Sequence, residues 1–170
     1  MKRKFISAFI CALLALTVVT ALPPMTESVA AEDYNGFQIE RKPGEIWIKS
    51  GPGGDVTIPD EIDGLPVTRI LANAWENSLD ITSLVVPSSV GLIGNYAFHG
   101  CTSLKSVVVH GDDLKLNNNA FRGCTELESF VFTTGMANSL GSSIFAGCSS
   151  LVEFDIPLGA TSIGDYFFDG

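Results

Sequence analysis

Residues 95–109 read NYAFHGCTSLKSVVV, and nearly the same order returns at 118–132 as NNAFRGCTELESFVF and at 142–156 as SSIFAGCSSLVEFDI. Aligning the aromatic residue of each copy extends the pattern in both directions. The aligned residues are Trp75, Phe98, Phe121, Phe145 and Phe168. Their spacings are 23, 23, 24 and 23 residues. An interval of this size is typical of solenoid proteins, in which equivalent units stack on one another.

The first half of each unit predicts a short helical turn. Three residues before the aromatic residue are side chains that accept hydrogen bonds at a helix start. These are Asn95, Asn118, Ser142 and Asp165. Four residues before it are types that tolerate a left-handed backbone, and two residues after it are types that end a helical turn. The first of these sets is Gly94, Asn117, Gly141 and Gly164, and the second is Asn77, Gly100, Gly123, Gly147 and Gly170.

The second half of each unit predicts a strand. Apolar residues recur nine and eleven positions after the aromatic residue, and two such positions face the same way on an extended chain. The pairs are Leu84 and Val86, Val107 and Val109, Phe130 and Phe132, and Phe154 and Ile156. Pro87 and Pro157 follow two of these pairs. Because proline has no amide donor, we expect each of them to end a strand.

The N-terminal part of the mature chain predicts a cap for the first unit. The segments GFQIE and EIWIK flank Pro43 and Gly44 within residues 33–49, as in a β-hairpin. A single unit buries too few apolar side chains to balance the backbone entropy of ordering two dozen residues. The units must therefore stack on each other and on such a cap.

The repeats AFHGCTSLKSVVV, AFRGCTELESFVF and IFAGCSSLVEFDIP resemble the BspA-like leucine-rich repeats of bacterial surface proteins. Residues 54–70, GDVTIPDEIDGLPVTRI, resemble the segment that often introduces such arrays. The resemblance covers residues 55–170, although the first unit departs from it at Ala72, Trp75 and Ser78. Together with the repeat pattern it implies an α/β fold: a right-handed leucine-rich-repeat solenoid of short strands and short helical turns with an N-terminal β-hairpin cap.

Residues 1–31 predict an export signal. Basic residues at 2–4 precede an apolar stretch at 5–22, and the small residues at 28–31 suit a signal peptidase. The apolar stretch is 18 residues long, so an uncleaved membrane anchor is the alternative. We divide the chain into a signal peptide (1–31), an N-terminal β cap and lead-in (32–66) and leucine-rich repeats of about 23 residues (67–170), the last incomplete. The expected location is secreted or cell surface.

The charge of the chain argues against polyanionic partners. The whole chain has 10 basic and 19 acidic residues, and removing Lys2, Arg3, Lys4 and Glu27 with the signal leaves 7 basic and 18 acidic residues, a net charge of −11. Such a protein repels phosphate backbones and anionic lipid, so nucleic acid is not an expected partner.

Membrane contact is expected only through an uncleaved signal or a C-terminal anchor beyond residue 170. Because the chain stops inside a repeat, we expect a longer protein or an open end that pairs with another chain.

The cysteines of the mature chain form one column, Cys101, Cys124 and Cys148. Residues of one column on neighbouring strands are about 5 Å apart, close to disulfide distance, and an exported protein is in an oxidising compartment. The alternative, which we favour, is a column of small buried apolar residues, because Ser78 has the equivalent place in the first unit.

No motif predicts catalysis, a metal or a cofactor. The chain has no Gly-x-Ser-x-Gly elbow, and the 51–54 loop GPGG lacks the Lys-Ser/Thr pair of a phosphate loop. The turn at 110–113, HGDD, has too few oxygen ligands for a calcium loop and is better explained as a solvated acidic turn. We therefore expect that the protein is not an enzyme.

The predicted strands place two columns of side chains on one outward face. One column is Val85, Val108, Val131 and Asp155, and the other, two residues earlier, is Ser83, Ser106, Ser129 and Glu153. A row of exposed valines is a candidate interaction surface. The alternative is that these valines only support strand formation, since β-branched residues favour strands wherever they lie.

The predicted function is that of an exported, non-catalytic protein-interaction or adhesion module on the bacterial cell surface. The resemblance implies adhesion, so the expected partner is a host matrix or cell-surface protein or glycan. The alternative functions are a targeting part of a larger secreted enzyme and a structural spacer.

Overall fold

The chain folds as a β-solenoid in the computed structural model, which describes residues 31–134 and 137–170. The predicted export signal, except for its last residue, lies outside the described residues. The strands are β1 (Glu32–Tyr34), β2 (Phe37–Lys42), β3 (Glu45–Ser50), β4 (Gly54–Thr57), β5 (Glu61–Ile62), β6 (Leu65–Ile70), β7 (Ile81–Val86), β8 (Leu92–Ile93), β9 (Ser106–Val109), β10 (Lys115–Leu116), β11 (Ser129–Phe132) and β12 (Ser139–Leu140).

Two sheets run along the stack of units. The cap sheet has the order β1-β2-β3-β6-β8-β10-β12, with the short β5 paired to β6, and the repeat sheet has the order β4-β7-β9-β11. Strands β1, β2 and β3 are antiparallel, so β2 and β3 form a hairpin around Pro43 and Gly44. From β3 onward each strand pairs in parallel with the equivalent strand of the next unit. The hairpin therefore covers the first edge of the solenoid.

Stacked aromatic rings occupy the centre of the core. The rings of Phe98 and Phe121 lie 5.0 Å apart and nearly parallel, and Trp75 stacks on Phe98 at 5.1 Å. The column continues through Phe145, 6.1 Å from Phe121, to Phe168, 5.9 Å from Phe145. The alignment of these residues in the sequence thus corresponds to an alignment in space, and one buried cluster runs from the cap to the last unit.

A ladder of turns forms the third side of each unit, at residues 72–77, 95–100, 118–123, 142–147 and 165–168. In the second turn the amides of Tyr96, Phe98 and Gly100 donate to Asn118, Ala120 and Arg122 of the next unit at 3.2, 2.8 and 2.8 Å. The same three hydrogen bonds, 2.7–3.2 Å long, recur at each of the four junctions and always point in the same direction along the chain. We call this side of the solenoid the turn face.

The predicted helical turns are wrong, and with them the α/β class: within the described residues the secondary structure consists of strands and turns, without a helix. An α-helix needs amides that donate to carbonyls four residues back in the same segment. Here every second amide of the turn donates to the next unit instead. The expected cap residues have other roles, as when Oδ1 of Asn118 accepts from the amide of Ser142 at 2.9 Å.

One position of the turn has a left-handed backbone in every unit. The residues at this position have φ values of 55–62° and are Asn73, Tyr96, Asn119, Ser143 and Tyr166. Asparagine tolerates this conformation, whereas other L-residues lose about 1–2 kcal/mol in it. Tyr96 and Tyr166 therefore occupy a position that disfavours bulky residues.

The glycines that precede three of the turns, Gly94, Gly141 and Gly164, are required for close approach rather than for a left-handed backbone, contrary to the prediction. A Cβ atom on Gly94 would lie 2.5 Å from the amide nitrogen of Ala72, and one on Gly164 would lie 2.4 Å from that of Ser142. Neither glycine has a positive φ. The main chains of neighbouring units therefore touch directly at this point.

The strand predicted around Phe154 and Ile156, which would have extended the repeat sheet beyond β11, is absent. Residues 151–157 form no strand in the described structure. Pro157 therefore does not end a strand. Phenylalanine replaces the leucine and valine of earlier units at this level, and Phe154 packs 6.0 Å from Phe130 and 6.2 Å from Phe132. The three rings thus cluster at the place where this strand was expected, although Phe130 and Phe132 on β11 remain paired with β9.

The close approach at Gly94 predicts a stability difference between two Gly→Ala variants. We expect Gly94→Ala to lower the free energy of unfolding by about 2–3 kcal/mol, because the new methyl group overpacks against the main chain of the preceding unit. Gly91→Ala is the control: nothing lies within 4 Å of its Cβ position. It should change stability by less than about 1 kcal/mol. Urea unfolding followed by circular dichroism measures both, and equal effects would contradict the assignment.

Candidate interaction surface

The valine row lies on the outward face of the repeat sheet. Val85 pairs in register with Val108, and Val108 pairs with Val131. Thr57 of β4 pairs with Val85 and extends the row toward the cap. Val85 and Val108 are half-buried and Val131 is 46% exposed. The result is a strip of β-branched side chains across four strands.

The serine row lies beside the valine row, two residues earlier on each strand. Ser83, Ser106 and Ser129 are in register on β7, β9 and β11, and Asp55 of β4 pairs with Ser83. The Asp55 carboxylate accepts hydrogen bonds from Ser83 Oγ at 2.7 Å and Thr82 Oγ1 at 2.9 Å. These two bonds hold the pKa of Asp55 below its usual range. An ionised carboxylate therefore ends the serine row on the cap side.

Glu153 and Asp155 do not continue the rows, which corrects the prediction that included them. They belong to the segment that forms no strand, and both are exposed. They line shallow depressions along the free side of β11, together with Ser129 and Val131. Six of the eight predicted residues thus form two in-register rows, and the two acidic residues only flank them.

The sequence analysis missed a third outward row. His110 and Thr133 extend the ladder by one residue beyond β9 and β11, and His110 Nδ1 lies 3.1 Å from Thr133 Oγ1. Both residues are exposed. The spacing in the sequence could have revealed this row, because His110 and Thr133 each stand twelve residues after the aligned aromatic residue of their unit. His110 was instead interpreted as part of an acidic turn. It is instead a polar border of the valine row.

The cysteine column has a structural role. Cys101, Cys124 and Cys148 are buried free thiols. Each Sγ donates to the carbonyl of the aromatic residue in the preceding unit: Cys101 to Trp75 at 3.0 Å, Cys124 to Phe98 and Cys148 to Phe121, both at 3.1 Å. Hydrogen bonds with the neighbouring thiols, together with burial, raise the pKa of Cys124 above its ordinary value. Such a thiol stays protonated and is a poor nucleophile.

The described residues do not include a candidate metal site. Within residues 31–134 and 137–170, histidine, cysteine and carboxylate side chains do not form a group of three or more that could hold a metal ion. The same part of the chain contains no helix with the length and apolarity to cross a bilayer.

The repeats match a known family model. The model described as BspA type leucine rich repeat region matches residues 68–170 in six copies. No curated protein matches the chain.

Solved structures of bacterial proteins are similar in fold. The leucine-rich repeat protein TpLRR of T. pallidum is 31% identical with a TM-score of 0.71, and the match covers 79% of this chain and 64% of that one. A leucine-rich cell surface protein of Faecalibacterium prausnitzii is 28% identical with a TM-score of 0.69, covering 84% and 40%. A leucine-rich repeat protein of Bacteroides capillosus, 22% identical with a TM-score of 0.53, covers 79% and 96% and shares the fold. This chain thus spans less than two thirds of the length of the first two proteins.

The buried thiols predict a labelling pattern. We expect Cys101, Cys124 and Cys148 to resist iodoacetamide at pH 7 in the folded protein and to react once guanidinium unfolds it without reductant, because folding buries all three side chains. Peptide mass spectrometry reports each position separately. A cysteine introduced on the exposed serine row, Ser129→Cys, is the control that should react in the folded state. A disulfide-linked peptide pair from this column would contradict the free-thiol assignment.

Proposed function

We propose that this chain, which belongs to the BspA-type leucine-rich repeat family, is an exported, non-catalytic interaction protein that binds a host protein at the bacterial cell surface. The observation that carries the proposal is the pair of rows on the repeat sheet, where apolar and hydroxyl side chains run side by side across neighbouring strands. The F. prausnitzii relative, described as a cell surface protein, supports the location.

The chemistry of the rows favours a protein partner. Val85, Val108 and Val131 present an apolar strip, and apolar contact on a sheet face suits apolar side chains better than the polar surface of a sugar. The serine hydroxyls beside them both donate and accept hydrogen bonds. A segment lying across the strands would therefore meet a valine and a serine at each unit. Repetition of a weak contact at each unit increases the total affinity.

The contrasting function, a targeting part or spacer of a larger secreted enzyme, needs no ligand on this face. The two functions differ in what the valines do. For a spacer they only support the strands, and threonine, which is also β-branched, would replace them without consequence.

The test replaces the valine row by residues of the same shape. We expect the triple variant Val85→Thr, Val108→Thr and Val131→Thr of the full chain to lose binding to immobilised basement-membrane extract and to cultured epithelial cells by a factor of roughly 10–100, because three buried methyl contacts become polar. Biolayer interferometry and cell-adhesion counts measure the loss. The urea unfolding midpoint should stay close to that of the original protein, because β-branching is kept.

The control is an outward residue on the other sheet. Leu92 is half-buried on β8, which belongs to the other sheet than the valine and serine rows, so Leu92→Thr should leave binding unchanged. If the unaltered chain binds neither probe, or if the triple variant binds as well as the original, the adhesive function of this face is wrong and the spacer function is favoured.

A further inference from the structure

A second, chemically different depression lies on the turn face. It has a volume of about 390 Å³ and is lined by His99, Arg122, Ser143, Tyr166 and Asp169, with glycines of the stacked turns as its floor. It is separate from the valine and serine rows, which belong to the repeat sheet. We call it the turn groove.

One tyrosine lines the turn groove and a second lies beside it. Tyr166 lines the groove with 71% of its surface exposed, and the ring of Tyr96 packs edge-on against the ring of the lining residue His99 with the centroids 5.5 Å apart. The two tyrosines are three units apart, which corresponds to about 14 Å at the spacing of neighbouring strands. Both have the left-handed backbone that favours asparagine, which stands at the same position of two other units. A residue in a backbone conformation that its type disfavours is a candidate for a functional role.

The polar groups of the turn groove are available to a ligand and nearly balanced in charge. Among the described residues Arg122 makes a single long hydrogen bond, 3.4 Å from its Nη1 to Asn119 Oδ1, and no ion pair. Asp169 contributes one negative charge, and His99 has its own acidic neighbour, since its Nδ1 lies 3.3 Å from Glu76 Oε1. The groove thus offers donors and acceptors without an excess of positive charge.

Backbone geometry argues against a peptide in this groove. The turn amides of Gly100, Phe121 and Gly123 already donate to the next unit, so the floor offers no row of free amides to which an extended peptide could add. The side walls contain Ala146 as their aliphatic residue, and the depression has no apolar pocket for a peptide side chain.

The combination fits a sugar chain. Aromatic rings stack on the C–H faces of pyranose rings, a guanidinium can donate hydrogen bonds to sugar hydroxyls, and a carboxylate can accept them. Because the chain carries a net charge of −9, sulfated or carboxylated glycans would be repelled. We infer that the turn groove binds a neutral oligosaccharide, with Tyr96 and Tyr166 as stacking residues and with Arg122 and Asp169 as hydrogen-bonding residues.

The test uses isothermal titration calorimetry of the full chain against a panel of neutral oligosaccharides, namely cello-, malto-, manno-, xylo- and N-acetyllactosamine hexamers, with heparin hexasaccharide as the charged comparison. We expect at least one neutral member to bind. For that member, Tyr96→Asn combined with Tyr166→Asn should weaken binding at least tenfold, and Arg122→Gln should weaken it several-fold. Failure of every neutral member, or binding of heparin alone, overturns the inference.

A stability measurement separates a binding role of the tyrosines from a structural one. Because asparagine suits the left-handed backbone better, the double tyrosine variant should unfold at the same or a higher urea concentration than the original protein while binding less. If the variant unfolds earlier and loses binding in proportion, the tyrosines are structural and the inference is wrong.

Matched variants tie the result to the turn groove. Lys105→Gln removes an exposed cation outside the groove, and the triple valine variant alters the repeat sheet, so both should keep the sugar affinity. A loss of sugar binding in the valine variant would place the site on the repeat sheet and overturn the assignment to the turn groove. The protein-binding and sugar-binding proposals therefore fail independently.

Discussion

The hydrogen bonds between successive turns are the constraint on which the rest of the structure depends. At each junction three alternate amides donate to three carbonyls of the next unit. This arrangement brings the turns to strand spacing, and the glycine before three of the turns, at positions 94, 141 and 164, allows the main chains to touch there. Phe98 and Phe121 then stack at 5.0 Å, as side chains attached to neighbouring strands of a sheet would.

The same constraint explains the composition of each unit around its aromatic residue. The carbonyl of the aromatic residue accepts from an amide of its own turn, as Phe98 does from Cys101, and also from the thiol of the next unit, Cys124. A small residue with a weak donor satisfies the second bond without enlarging the core. Since buried carbonyls require partners, the cysteine column is explained by hydrogen bonding and needs neither a disulfide nor a metal.

The two proposed binding regions differ because they lie on different sides of the same stack. On the repeat sheet, side chains alternate between core and solvent, so a constant repeat length produces straight rows such as Val85, Val108 and Val131. On the turn face the backbone groups are used between units, and the surface is made of single side chains that change from one unit to the next, such as His99 and Arg122. The repeat sheet therefore presents a regular apolar strip, and the turn face an irregular polar groove.

The sequence by itself determined the period, the stacked aromatic core and the in-register rows, because a constant spacing makes equivalent residues neighbours and burial requires the inward columns to be apolar. It did not determine the conformation of the turns. Asparagine, serine and glycine are compatible with both a helix start and a left-handed turn. The left-handed turn forms here because its amides donate to carbonyls of the next unit, which the local sequence does not reveal. Only the tertiary structure showed that residues 151–157 form no strand beside β11, because their alternating apolar pattern is the same as that of the paired strands, and it showed that the rings of Phe130, Phe132 and Phe154 meet there. The residues of the turn groove come from four stacked units, where they stand two before, one after and two after the aligned aromatic residue. The period therefore places them in common columns, but their side chains differ from unit to unit, and only the turn conformation shows that these columns line one depression.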